Sequence, residues 1–178
     1  MVDMEYKRIN NCKHELFEEV FHIYENAFDK LERRDFCEQV KILSKKDYHF
    51  YCITDGGEVV GGLLFWMTDK FVYLEHLFID ASKRNNKCGS KALDFIKSFN
   101  LPIIAEIEPP ETALQERRKR FYERCGFFTN DDICHIQPKM HLNDEDLQLL
   151  IISYPDCVDK ELYSDFYSYL KREVEVKC

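Results

Sequence analysis

The sequence predicts a mixed α/β fold, an α+β arrangement of one mixed sheet with helices, and three observations carry that prediction. Segments rich in β-branched and aromatic residues alternate with segments whose apolar residues recur at helical spacing. Glycine and proline signals separate them, above all Asp55-Gly56-Gly57 and Pro109-Pro110. A chain of 178 residues, 45% hydrophobic and 33% charged, has the material for one soluble globular domain with a core. The order expected is β-α-α-β-β-β-α-β-α-β-β with a further C-terminal helix.

The first strand is expected at 2–9. A helix at 12–28 follows, with Phe17, Val20, Phe21, Tyr24 and Phe28 as its buried stripe. A second helix at 33–43 buries Phe36, Val40 and Leu43. Strands at 48–54 and 58–67 form a hairpin around the Asp-Gly-Gly turn, and Thr68-Asp69-Lys70 turns into a strand at 71–79. A helix opens at Gly89 or Ser90, with Ala92, Phe95, Ile96 and Phe99 on one face. A strand at 102–108 stops at the two prolines. The helix at 111–125 carries Thr112 as N-cap, Gln115 in capping-box position and Gly126 as its C-terminal glycine. Strands at 132–141 and 146–154 and a helix at 159–172 complete the chain.

Composition narrows the function. The formal charge of −8 argues against general binding to nucleic acid or an anionic membrane. No apolar run reaches the roughly 20 residues that span a bilayer. The N-terminus lacks a basic-then-apolar leader pattern, so a cytoplasmic location is expected. Eight cysteines occur without a single C-x-x-C pair, which reads as reduced thiols packed as small hydrophobes, with no metal site.

Against this acidic background, the stretch after the strand at 71–79 is basic. Lys83, Arg84, Lys87 and Lys91 crowd it, with no acid between Ala81 and Lys91. A strand that feeds a short loop and then a helix N-terminus presents aligned amides and the positive end of a helix dipole, a natural phosphate cradle. Within the strand, Tyr73, Glu75, Leu77 and Ile79 share a face by alternation. A carboxylate there is costly unless it is paired or wet, so Glu75 is either a functional group or half of an ion pair. Glu106 and Glu108 share a face of the next strand, as an ammonium-recognition pair, as holders of a proton-relay water, or as a solvent-facing pair. His76, on the opposite face from Glu75, reads as a packed histidine.

Two motifs add a resemblance. Arg84-Asn85-Asn86-Lys87-Cys88-Gly89 is similar to the (Arg/Gln)-x-x-Gly-x-(Gly/Ala) pyrophosphate loop of the GNAT superfamily of N-acetyltransferases, and Phe121-Tyr122-Glu123-Arg124-Cys125-Gly126-Phe127 resembles that superfamily's Phe-Tyr-x-x-x-Gly-Phe helix ending. The order of the two motifs and the surrounding elements extend the resemblance over residues 1–155, read as one GNAT-like domain, with 156–178 as a C-terminal helical elaboration. The resemblance implies the acyl-CoA N-acyltransferase fold and an acetyl-CoA-dependent transfer to a primary amine by direct attack on the thioester. Acetyl-CoA is then the co-substrate, bound where the fourth and fifth strands part. Arg84, Asn85, Asn86, Lys87, Cys88, Gly89 and Ser90 would cradle the pyrophosphate. The backbone of Leu77, Phe78 and Ile79 would pair with the pantetheine arm. Glu75 would be the general base and Tyr122 the general acid, with Glu106 and Glu108 toward the acceptor. That acceptor would be a small-molecule or peptide amine and the protein a monomer or homodimer. The sequence departs from the pattern at one position: Lys87 stands where the loop motif has its first glycine. That departure keeps open a non-catalytic coenzyme-binding module, beside transfer of another acyl group or transfer to an oxygen acceptor.

Overall fold

A computed structural model describes residues 4–84, 86–138 and 147–174 of the chain. Its strands are β1 (Met4–Ile9), β2 (Tyr48–Asp55), β3 (Glu58–Met67), β4 (Val72–Ile79), β5 (Ile103–Ile107), β6 (Phe128–Thr129), β7 (His135–Gln137) and β8 (Leu147–Tyr154). Its helices are α1 (Phe17–Ala27), α2 (Phe36–Ile42), α3 (Cys88–Lys97), α4 (Ala113–Arg124) and α5 (Lys160–Tyr169). This is the mixed α/β fold expected, with mostly antiparallel pairing. The chain forms two compact units: one takes the residues up to Thr68 with Leu74–Phe99, the other Asp69–Tyr73 with the residues from Asn100 onward.

In the first unit β1, β2 and β3 form an antiparallel meander, and β4 follows β3 in the sheet. From Val59 to Trp66 β3 is buried, which explains its continuous apolar run. Phe17, Phe21, Phe36 and Phe50 meet as a ring cluster with centroids 5.5–6.2 Å apart. Two glycines of β3 allow the closest approach to β4. A Cβ on Gly61 would lie 2.1 Å from the Phe78 carbonyl oxygen, and one on Gly62 would lie 2.5 Å from the Phe78 ring.

In the second unit β8 lies between β5 and β6, antiparallel to both, and β7 pairs with the start of β8. Phe71 and Tyr73 meet Phe166 of α5 at 5.9 and 5.2 Å between ring centroids.

Several boundaries differ from the sequence expectation for local reasons. The helix expected from residue 12 begins at Phe17. Ahead of it, Asn11 accepts from the Lys13 N–H and His14 from the Leu16 N–H, so side chains capture the backbone donors. The second helix begins at Phe36 because Asp35 and Glu38 form a reciprocal capping box just before it. Thr112 and Gln115 form the capping box expected for α4. Of the strand expected at 132–141 only β7 forms among the described residues, a separate short strand β6 precedes it, and 139–141 lie outside the described residues. Asn130 causes the break. Its buried amide donates to the Ile151 carbonyl at 3.2 Å and to Ser153 Oγ at 2.9 Å, and its Oδ1 accepts from the Val158 N–H at 2.8 Å. A side chain here replaces ladder bonds and ties β8 to the segment that leads into α5.

Candidate functional site

The loop of the first unit is built as a cradle. β4 ends at Ile79, and the Asp80 carboxylate accepts from the Ser82 N–H at 2.8 Å, which turns the chain through a short 3₁₀ segment at Ala81–Lys83. Arg84 Nε donates to the Ile79 carbonyl at 3.2 Å and ties the loop back to the strand end. Lys87 then adopts the left-handed conformation, with φ 60° and ψ 11°. A non-glycine residue holds that shape at a cost of about 1–2 kcal/mol. The backbone geometry a glycine would supply is therefore present although the glycine is not. Asn85 lies outside the described residues.

Helix α3 begins at Cys88, immediately after Lys87. Helices α2, α4 and α5 each have an N-cap side chain, Asp35, Thr112 or Asp159, that accepts from a first-turn amide. At α3 the N-cap is Lys87, whose ammonium has no acceptor to offer. The first-turn N–H groups of Cys88, Gly89 and Ser90 therefore lack a side-chain acceptor from the cap, and the nearby charges are positive. Ser90 Oγ donates back to the Lys87 carbonyl at 3.0 Å, and Cys88 is buried against the loop. Leu77, Phe78 and Ile79 form the end of β4, with Phe78 buried over Gly61 and Gly62.

Glu75 is an ion-pair partner. Its carboxylate is 2% exposed, lies 2.6 Å from the Arg34 guanidinium, and accepts from the Trp66 indole at 3.0 Å. Arg34 is wholly buried, with the rings of Tyr48 and Trp66 at 5.6 and 5.9 Å. Burial also pushes the Tyr48 and Tyr24 phenols well up. Nothing in the sequence around Arg34 marked it as the partner of a residue 41 positions away. His76 is packed by the rings of Tyr24 and Phe28, at 5.2 and 4.5 Å, and its Nε2 lies 3.0 Å from the Glu32 carbonyl.

The second unit holds the other candidates. Tyr122 is buried on α4, edge-on to Phe121 and Phe127 at 5.2 and 5.4 Å. Burial pushes its phenol up to about 12, against a smaller lowering by Arg118. Arg118 reaches Glu108 at 2.5 Å, so Glu108 is half of a partly exposed ion pair. Ala113, Glu116, Arg117, Arg120 and Arg124 line a groove along α4.

Glu106 differs sharply from Glu108. Its carboxylate is 4% exposed and heads a polar network that the sequence did not reveal. Oε2 accepts from the Tyr73 hydroxyl at 2.6 Å and from Gln137 Nε2 at 3.0 Å, while Oε1 meets His135 Nε2. The other imidazole nitrogen, Nδ1, lies 2.8 Å from the Tyr163 hydroxyl on α5. Residues 73, 106, 135, 137 and 163 come from four elements, and no short motif joins them.

Residues 13–127 match the model of the Acetyltransferase (GNAT) family. YjbC of Bacillus subtilis, named as a candidate acetyltransferase, is 25% identical over 136 residues, covering 64% of this chain and 71% of that protein. A solved candidate acetyltransferase of the GNAT family from Bacteroides thetaiotaomicron superposes with a TM-score of 0.87 at 23% identity, over 97% of this chain and 99% of that one. Arabidopsis thaliana Naa50, solved with the bisubstrate analogue CoA-Ac-MVNAL, superposes with a TM-score of 0.64 at 14% identity, over 87% of this chain and all of that one. Among the described residues no helix is long and apolar enough to cross a membrane.

Proposed function

The chain belongs to the GNAT acetyltransferase family of acyltransferases, and from that premise we propose that it transfers an acetyl group from acetyl-CoA to a primary amine by direct attack on the thioester. The observation that carries the reading is the loop before α3, a left-handed turn into a helix N-terminus with no side-chain acceptor at its cap and lysine and arginine around it. That is an anion site in search of a diphosphate. The solved relative with a coenzyme-containing bisubstrate analogue supports the identity of the anion. The amides of Cys88, Gly89 and Ser90 bind the pyrophosphate, with Arg84, Asn86 and Lys87 around it. The backbone of Leu77, Phe78 and Ile79 takes the pantetheine arm, and an amide near Leu77 polarises the thioester carbonyl as it gains charge.

In the reaction the amine nitrogen bonds to the acetyl carbon, the carbon–sulfur bond breaks, and the amine loses one proton. Two carboxylates compete for that proton. Protonating Glu75 would strand the buried Arg34 charge, which cannot lose its own proton. Protonating Glu106 strands no fixed charge, because its partners are two neutral donors and an imidazole rather than a guanidinium. We therefore assign the base to Glu106 and give Glu75 the task of holding Arg34 and its loop. Tyr122 serves the departing sulfur. With a phenol near 12 and a thiol near 8.5, complete transfer is uphill by about 5 kcal/mol. Tyr122 therefore stabilises the thiolate as a hydrogen-bond donor, and the proton that neutralises the sulfur comes finally from solvent. Glu108, paired with Arg118, is assigned to the acceptor. No cysteine carries the signature of a nucleophile, which favours direct transfer over a ping-pong route.

The test is thiol release from acetyl-CoA with a panel of amines: short peptides, polyamines, aminoglycosides and amino acids. Release that depends on one amine class supports the reading and names the acceptor. Tight binding of coenzyme A with no release across the panel replaces it with a non-catalytic binding module, and release only with longer acyl-CoAs replaces the donor.

A further inference from the structure

The family match ends at residue 127, yet the network around Glu106 depends on residues beyond it. His135 is wholly buried. It stands between a carboxylate of β5 and a hydroxyl of α5, with Nε2 toward Glu106 and Nδ1 toward Tyr163. Among the described residues the polar groups against the pair come from β4, β7 and α5, with Cys134 beside Tyr163. Tyr73 and Gln137 donate to Glu106 from β4 and β7. Tyr163 and Tyr167 of α5 present themselves to the imidazole, the latter edge-on at 5.8 Å between centroids. Phe166 covers the same ring at 6.2 Å. A buried imidazole with an acceptor on one side and a hydroxyl on the other has its tautomer chosen by those partners. When Tyr163 donates to Nδ1, the ring proton must lie on Nε2 and point at Glu106.

We infer that α5 and β7 complete the catalytic apparatus of this chain: Tyr163 orients His135, and His135 holds the Glu106 carboxylate in its ionised, proton-accepting form. The inference rests on Glu106 being the base, as proposed above. His135 and Tyr163 are positioning residues, since neither accepts the amine proton. A hydrogen bond donated to a carboxylate favours its charged form. Losing the bond from His135 raises the proton affinity of Glu106 and moves the acid limb of the pH–rate profile to higher pH. A staple that merely pins α5 to the sheet would lower thermal stability and leave that limb in place.

The experiment compares full-length parent, His135→Leu, His135→Gln, Tyr163→Phe and Glu106→Gln, using acetyl-CoA and the most active amine of the panel between pH 5.5 and 9. Expected for His135→Leu is an acid limb raised by about one pH unit, since one lost carboxylate hydrogen bond shifts a titration on that order. His135→Gln keeps an amide donor near the carboxylate and should bring the limb back most of the way. Tyr163→Phe should move it in the same direction but by less. Nitrogen-15 histidine NMR of the parent and Tyr163→Phe reads the tautomer without substrate, and should show the Nε2–H form of His135 becoming mixed when the phenol is lost. If His135→Leu does not fold, Tyr163→Phe and His135→Gln still decide the matter. A limb that stays put and a tautomer that does not change overturn the inference while the base assignment stands. Parent-like turnover and an unmoved limb in Glu106→Gln remove the base assignment and the inference together.

Discussion

Glu75 shows how a single residue changes meaning once its neighbours are known. A mid-strand carboxylate on an apolar face reads equally as a base or as an ion-pair partner, and its environment is the deciding quantity. With Arg34 wholly buried and 2.6 Å away, removing one charge leaves the other without a counter-ion. Glu75→Gln is therefore expected to cost about 3–5 kcal/mol of stability. It should leave the acid limb of the pH–rate profile where it was, and urea denaturation beside that profile checks both. A moved limb with unchanged stability would return the base role to Glu75. Tyr122 is argued at the same scale. With its buried phenol pushed up to about 12, Tyr122 is assigned above as a hydrogen-bond donor that keeps its proton. Tyr122→Phe should then lower turnover by about 10²-fold, the lower end of acid–base contributions, with coenzyme affinity unchanged by calorimetry. Unchanged turnover would remove Tyr122 from the mechanism. Lys87 makes the converse point. The sequence showed a missing glycine, and the structure shows the left-handed turn kept in spite of it.

At the scale of elements, local signals placed the strands and helices well wherever the chemistry is short-range. The capping box at Thr112, the Asp-Gly-Gly hairpin and the α1 stripe from Phe17 to Tyr24 each depend on residues a few positions apart, and each is present, while Phe28 falls past the helix end and is half-buried. The break between β6 and β7 was not legible. It depends on Asn130 reaching Ile151, Ser153 and Val158, partners more than 20 residues away. Asn130→Ala would take the acceptor from the Val158 N–H and one donor each from Ser153 Oγ and the Ile151 carbonyl, which keep their bonds to the Asp156 carbonyl and the residue-130 backbone N–H. An expected loss of about 2–4 kcal/mol follows, from one to two buried groups left unsatisfied. Hydrogen exchange should show protection falling at β8 and at the start of α5 together. A loss confined to residues 128–134 would mean that Asn130 closes only its own turn.

For the molecule as a whole, the pH dependence of stability has a definite direction at one buried site. His49, on β2, is 6% exposed and stacks on Phe65 at 4.9 Å. Burial first, then Arg8, lowers its titration to about 4, with Asp47 opposing. An unfolded histidine titrates near 6.5. Between those values the unfolded chain binds a proton that the folded chain refuses, so stability is whole above about pH 6.5 and falls as pH drops toward 4. Urea midpoints measured from pH 4 to 7.5 should fall more steeply for the parent than for His49→Gln, and parallel slopes would acquit His49. By itself the sequence determined the fold class, the order of nearly all elements, the family and the basic loop before α3 to which coenzyme binding is assigned above. Those depend on periodicity, caps, turns and a contiguous motif, all set by residues close together in the chain. Only the tertiary structure decided that Glu75 pairs with a guanidinium and Glu106 with an imidazole, that β8 lies between β5 and β6, and that α5 reaches the Glu106 network through His135. Those outcomes depend on burial and on partners dozens of residues apart, and a buried charge takes its chemistry from whatever folding places beside it.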